Sequence, residues 1–161
     1  MQNNNVPESI WADGIPENIK EEDKLTLEIL VGMATDYLMK NLLIPLGFKI
    51  EDGFPRPELP NIVMKKDGVS YAIIICPSIL PKYMIVNDEV RLKFVQMCKE
   101  RNTTPLMAPV LYASIDKDRA KEGIALKGDV FRTKCPGFII LNDEPEQDLT
   151  LADESKLFRP E

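Results

Sequence analysis

Residues 61–76 read Asn-Ile-Val-Met-Lys-Lys-Asp-Gly-Val-Ser-Tyr-Ala-Ile-Ile-Ile-Cys, and this stretch decides the fold class. The dipeptide Asp67-Gly68 separates two runs of residues that favour strands, which is a strong signal for a hairpin. The run from Ile73 to Ile75 is apolar on both faces of a strand, as in a central strand that helices cover on each side. The sequence therefore predicts two antiparallel strands inside a sheet flanked by helices.

The flanking sequence predicts a complete α/β (α+β) domain. Apolar residues recur with helical spacing over residues 23–43, and residues 87–101 form a second predicted helix that Asn87 caps. The strand that follows, at residues 105–112, is expected to run parallel to the strand that ends at Cys76. The other predicted elements are strands at 47–52, 129–133 and 138–141 and one or two helical turns at 116–123.

Patterning divides the 161 residues into three parts. Residues 1–22 predict an irregular N-terminal arm, in which Trp11 is expected to dock onto the body or onto a partner subunit. Residues 23–141 predict one domain, and residues 142–161 predict an acidic C-terminal tail. Because the sequence has neither a long apolar run nor a basic-then-apolar start, we expect a cytoplasmic protein with no membrane association.

The acidity of the chain lies at its two ends. The net charge is -6, and residues 1–30 and 142–161 each carry 2 basic and 7 acidic side chains. Residues 81–141 carry 11 basic and 7 acidic side chains, so the middle of the chain is mildly basic. Charge of this kind near chain ends is typical of solvated surface, although it also fits a nucleic-acid surface screened by acidic ends.

Composition excludes several classes of active site. The sequence contains no histidine, which removes Ser-His-Asp and Cys-His catalysis and zinc sites that need an imidazole ligand. Cys76, Cys98 and Cys135 are odd in number and have no C-x-x-C spacing, so a disulfide framework is not expected. Each is interpreted as a small buried hydrophobic residue rather than a catalytic nucleophile.

The order helix, strand, hairpin, central strand, helix, strand over residues 23–112 resembles the restriction-endonuclease-like fold of the PD-(D/E)XK nuclease superfamily. The resemblance implies an α-β-β-β-α-β core with a central mixed sheet flanked by helices. In that superfamily a Pro-Asp begins the second strand and a Glu-x-Lys lies on the third. Two carboxylates there hold a divalent metal, and the lysine helps to activate water.

The positions that match this motif hold other residues. Pro60 precedes Asn61 where the superfamily has aspartate, and Ile74 and Cys76 stand at the places that resemble the Glu and the Lys. An amide and an aliphatic chain give Mg²⁺ no charged ligand. The resemblance therefore implies a retained scaffold with a degenerate active site, without catalytic residues, bound metal or cofactor.

Alternation along the strands predicts how these positions pack. Asn61 and Ile74 are expected to lie near one another on adjacent strands, with Ile74 and Cys76 pointing to the same side. Their neighbours Ile73 and Ile75 are expected to face the opposite helix layer. Ile74 and Cys76 are then predicted to pack against apolar side chains.

These observations favour a non-catalytic nuclease-fold domain that acts as an interaction or assembly module. The predicted first helix has a second apolar stripe, formed by Ile29, Met33 and Tyr37, in addition to its core face. A helix apolar over so much of its circumference is expected to be covered on two sides. We therefore expect homo-oligomers that form through the region 23–43.

Two alternatives stay open. One is a Mg²⁺- or Mn²⁺-dependent nuclease whose carboxylates have been relocated to Glu28, Glu51, Asp52 or Glu58. The other is a nucleic-acid-binding protein that does not cleave. Its candidate binding face consists of four cations on or beside the second predicted helix, namely Arg91, Lys93, Lys99 and Arg101.

Overall fold

The computed structural model describes residues 21–52, 60–115 and 124–149. The helices of these residues are α1 (Leu27–Leu38) and α2 (Asp88–Glu100), and the strands are β1 (Lys49–Asp52), β2 (Ile62–Lys66), β3 (Val69–Ile79), β4 (Thr104–Ser114), β5 (Phe131–Lys134) and β6 (Ile139–Ile140). A 3-10 turn, Glu21–Asp23, precedes α1, and a π-helical turn, Met39–Leu43, continues it. Trp11 with most of the predicted arm, Glu58, the predicted turns at 116–123 and residues 150–161 lie outside the described residues.

The described strands form one mixed sheet in the order β1-β2-β3-β4-β5, and β6 also pairs with β4. Neighbouring strands are antiparallel except β3 and β4, which are parallel. Helix α2 lies between β3 and β4 in the sequence and connects them. The predicted α/β (α+β) class is therefore confirmed. The more specific nuclease-like fold stays a prediction.

The β2–β3 hairpin forms where the sequence predicts it. Asp67 and Gly68 both have positive φ values, 51° and 79°, which is the backbone of a type I′ turn. Its twist matches that of the flanking strands, so Lys66 pairs directly with Val69. The same register places Ile62 opposite Ile73 and fixes which residues face each side of the sheet.

The core has two layers, one on each face of β3. Ile73 and Ile75 pack in the layer of α1, with Leu30, Ala34 and Leu38. Ile74 and Cys76 pack in the layer of α2, with Phe94, Val95 and Cys98. The alternation predicted for β3 is confirmed, and its apolar character on both faces follows from the helix on each side.

The start of α1 differs from the prediction. The helix begins at Leu27 rather than at residue 23, and the Thr26 hydroxyl caps it by accepting from the Ile29 amide at 3.2 Å. The residues before the cap are held elsewhere, because the Leu25 amide donates to the Ala125 carbonyl at 2.9 Å. A pairing with a distant segment overrides the local helical pattern here.

Strand β3 is longer than predicted and continues through Pro77 to Ile79. The Ile75 amide points towards the β2 side, where Asn61 Oδ1 accepts it at 2.7 Å. Because backbone amides alternate in direction along a strand, the backbone nitrogen of Pro77 points to the same side as the Ile75 amide. It lies past the end of the pairing with β2, which begins at Ile62. Proline lacks an amide hydrogen, and at this position no hydrogen bond to β2 is lost.

Residues 142–149, which we call the C-terminal strap, pack against α2. Arg91 is fully buried and donates to the Asn142 carbonyl, to the Pro145 carbonyl at 3.5 Å, and to Asp88 Oδ1 at 3.2 Å. Leu149 is buried in the α2 layer. The start of the predicted tail is thus part of the packed domain.

A surface ion pair also joins the strap to α2, between Lys99 and Asp143. The hydrogen bond from Lys99, together with its charge, lowers the pKa of Asp143. Both side chains are largely exposed, so the pair adds little to the free energy of folding. Burial of Arg91 and Leu149 therefore anchors the strap more strongly than its acidity does.

Within the described ranges, no helix has both the length and the apolar character needed to cross a membrane.

Candidate functional site

The three motif positions lie on one cleft of about 410 Å³, which we call the motif cleft. It opens where β2 begins and β3 continues beyond it, between the first turns of α1 and α2. Its lining comes from three parts of the chain: Leu27, Glu28 and Val31; Asn61 and Ile74 to Cys76; and Met84 to Asn87 with Val90. The structure thus brings together the residues that the motif spacing singled out.

Asn61 is buried and binds the backbone of β3. The backbone amide of Asn61 donates to the Ile73 carbonyl at 2.9 Å, and the side-chain Oδ1 of Asn61 accepts from the Ile75 backbone amide at 2.7 Å. The side chain therefore extends the β2–β3 hydrogen bonding by one more step. This side-chain oxygen is therefore engaged in holding the edge of β3.

Ile74 and Cys76 form an apolar surface at the positions that resemble the Glu and the Lys. Each is only 4% exposed, and both pack against apolar side chains as predicted, in the layer of α2. The Cys76 thiol is also hydrogen-bonded to the backbone of Val86. Neither side chain offers a charged oxygen or an ammonium group to a ligand in the cleft.

The candidate relocated carboxylates have different surroundings. Glu28 lines the motif cleft and is exposed there. Glu51 lies on β1 and approaches Lys65 at 3.7 Å, while Asp52 ends β1 opposite Val63. Glu58 lies outside the described residues. Among the residues that the structure describes, no three Asp, Glu or Cys side chains are grouped closely enough to hold a metal ion.

The four candidate cations do not form one free basic surface. Arg91 is buried and binds the C-terminal strap, so it does not lie on the outer side of α2. Lys93 pairs with Glu89 at 3.1 Å, and Lys99 pairs with a strap carboxylate. Arg101 is the C-cap residue of α2 and is exposed. Most of the positive charge is therefore neutralised within the domain.

No family model matches this chain, and no curated protein is significantly similar to it. The functional assignment therefore depends on the chemistry of the motif cleft and its surroundings.

The rim of the motif cleft is apolar and exposed. Leu27, Met84 and Ile85 line the cleft and are 55%, 44% and 56% exposed, and Tyr83 beside them is 62% exposed. Met84 also lines a neighbouring cavity of about 320 Å³, together with Lys82 and Tyr83. The Met84 amide donates to Ser78 Oγ at 2.7 Å, which holds this loop against β3.

Sequence patterning predicts no function for this loop. The signal present is the apolar run Tyr83-Met84-Ile85-Val86, which belongs to no predicted helix or strand and ends at the capping residue Asn87. Val86 is buried in the α2 layer, whereas Tyr83, Met84 and Ile85 are exposed. Large apolar side chains that are exposed together mark interaction sites.

The three cysteines are expected to be unreactive in the folded protein. Burial raises the pKa of the Cys76, Cys98 and Cys135 thiols to about 11 in each case, which leaves almost no thiolate at neutral pH. Iodoacetamide at pH 7.5 should label the native protein far more slowly than the urea-unfolded chain, with mass spectrometry as the readout. Fast labelling of native Cys76 would contradict this and would revive a nucleophile in the motif cleft.

Proposed function

We propose that this chain is a non-catalytic domain, on a nuclease-like scaffold, that acts as an interaction or assembly module. The observation that carries the proposal is the chemistry of the motif cleft. Ile74 and Cys76 are buried among apolar side chains, and the Asn61 side-chain oxygen is bound to the Ile75 amide. Mg²⁺ sites normally use one or two carboxylates, and these positions supply none.

Support for an interaction role comes from the exposed apolar residues. Four large side chains surround the mouth of the motif cleft, and Ile29 and Met33 on α1 are also 40% exposed. Exposed apolar patches of this kind mark interaction sites more often than isolated surface residues do. The same positions on a working nuclease would have to admit a polar, strongly hydrated nucleic acid.

The test is whether the full-length chain binds a divalent metal or cleaves nucleic acid. We expect no cleavage of DNA or RNA in Mg²⁺ or Mn²⁺, and no metal-specific rise in the melting temperature. EDTA-treated protein and the Glu28→Ala variant are the matched controls, and both should behave as the wild type does. Cleavage that Glu28→Ala abolishes would contradict the proposal.

Glu28 gives the metal-dependent nuclease a specific observation in its favour, because this carboxylate lies on the motif cleft. Under that second candidate function, Glu28→Ala should remove cleavage, and the Glu51→Ala and Asp52→Ala variants should show whether β1 contributes. Cleavage that survives all three substitutions would point to a contaminating enzyme rather than to this cleft.

A further inference from the structure

We propose that a second copy of this chain docks on the motif cleft and the neighbouring cavity, in a two-fold dimer. In this dimer Glu28 of each copy pairs with Lys82 of the partner subunit. The inference rests on the proposed assembly function and names its partner. We call the combined surface, from Leu27 to Val31 on α1 and from Lys82 to Asn87 in the loop, the docking groove.

The centre of the docking groove is apolar and continuous. The motif cleft and the neighbouring cavity share Met84, and α1 contributes Leu27 to the first and Leu30 to the second. Tyr83 and Ile85 stand on either side of Met84 and are more than half exposed. Burying such side chains against a partner removes apolar surface from water, which is the main driving force for association.

Two opposite charges lie on different parts of this groove. Glu28 lines the motif cleft, Lys82 lines the neighbouring cavity, and both are exposed. No ion pair joins either of them to another described residue, whereas five other lysines, Lys24, Lys40, Lys65, Lys93 and Lys99, are paired with carboxylates. The docking groove therefore presents one acid and one base whose charges no ion pair within the described residues neutralises.

This arrangement favours a second copy over an unrelated partner. A two-fold interface brings the same patch of both subunits together, so each contact occurs twice. A patch with an acid and a base around an apolar centre is then complementary to itself, since two Glu28–Lys82 pairs form at once. The net charge of -6 opposes association only weakly at physiological salt, where screening acts over about 8 Å.

Sedimentation equilibrium of the full chain tests the apolar part of the surface. The wild type is expected to form a concentration-dependent dimer at micromolar concentrations. Ile85→Asp should raise the dissociation constant at least about tenfold, because it places a charge in the apolar centre. Val69→Asp is the matched control, since Val69 is similarly exposed at the far end of β3, and it should dimerise as the wild type does. A melting curve for each variant shows that it is folded.

The charges allow a sharper test. Glu28→Lys alone and Lys82→Glu alone should each weaken self-association about tenfold, because each creates two like-charge pairs. An equimolar mixture of the two variants should form a heterodimer about as tight as the wild-type dimer, because both of its pairs are again of opposite charge. The double variant in a single chain should also recover.

A wild type that stays monomeric, or a mixture of the charge variants that fails to associate, would overturn the dimer. Neither result would contradict the proposal that the domain is non-catalytic, because that proposal is tested by the cleavage and metal-binding experiments. Conversely, cleavage that depends on Glu28 would contradict the proposed function whether the protein is a monomer or a dimer. The two failures are therefore distinguishable.

Discussion

Replacing Ile74 with glutamate is expected to lower the free energy of unfolding by about 3–5 kcal/mol, and Mg²⁺ should not restore it. Ile74 is almost fully buried in the α2 layer, so a carboxylate at this position would leave water and lie among apolar side chains. Urea denaturation with and without Mg²⁺ measures the effect. The control Ile74→Val keeps the site apolar and should cost only about 0.5–1.5 kcal/mol.

The triple variant Asn61→Asp, Ile74→Glu, Cys76→Lys tests whether the site is a closed apolar core or can still accommodate a metal ion. We expect it to be at least as destabilised as Ile74→Glu alone, because Asn61 Oδ1 already binds the β3 backbone and Cys76 is buried. A triple variant that melts as the wild type does and gains stability only with Mg²⁺ would show that the cleft still holds a metal pocket.

Arg91→Ala is expected to cost about 3 kcal/mol, the second large effect. The substitution leaves a cavity against α2 and removes the donors to the Asn142 and Pro145 carbonyls. Hydrogen exchange should then show faster exchange in the C-terminal strap, not only a lower melting temperature. Lys93→Ala, on the same helix but exposed, should stay within about 0.5 kcal/mol of the wild type.

Contact with the C-terminal strap is the reason that Arg91→Ala is expected to lower the free energy of unfolding more than Lys93→Ala does. Equal effects of the two substitutions would contradict this explanation. Unchanged exchange in residues 142–149 after Arg91→Ala would show that the remaining contacts of Leu149 and Asp143 hold the strap without Arg91.

Local signals were enough to predict much of the fold. The Asp67-Gly68 turn and the Asn87 cap depend on neighbouring residues only, and both are found where they were predicted. The predicted start of α1 and the predicted end of β3 were wrong, because contacts with distant segments determine where both elements begin or end. Residues 23–25 pair with residues 125–127, and Pro77 is tolerated because β2 has already ended on that side.

The candidate site shows the same division. Strand alternation predicted that Ile74 and Cys76 face the same side of the sheet, and the structure shows that this is the α2 side. The motif spacing led to the cleft that they share with Asn61. The burial of Arg91 could not be predicted, because its main partner, the Asn142 carbonyl, lies 51 residues further along the chain. In the sequence alone, Arg91 looks like any other cation on a helix.

Pro77 also limits the kind of partner that the docking groove accepts. In the described residues, no strand pairs with β3 beyond Ile75 on the β2 side, and an open strand edge of this kind is a template for uncontrolled pairing between chains. The missing amide hydrogen of Pro77 makes that edge a poor template. Association at this end of the sheet is therefore directed to side chains, which favours a closed pair of subunits over an open-ended fibre.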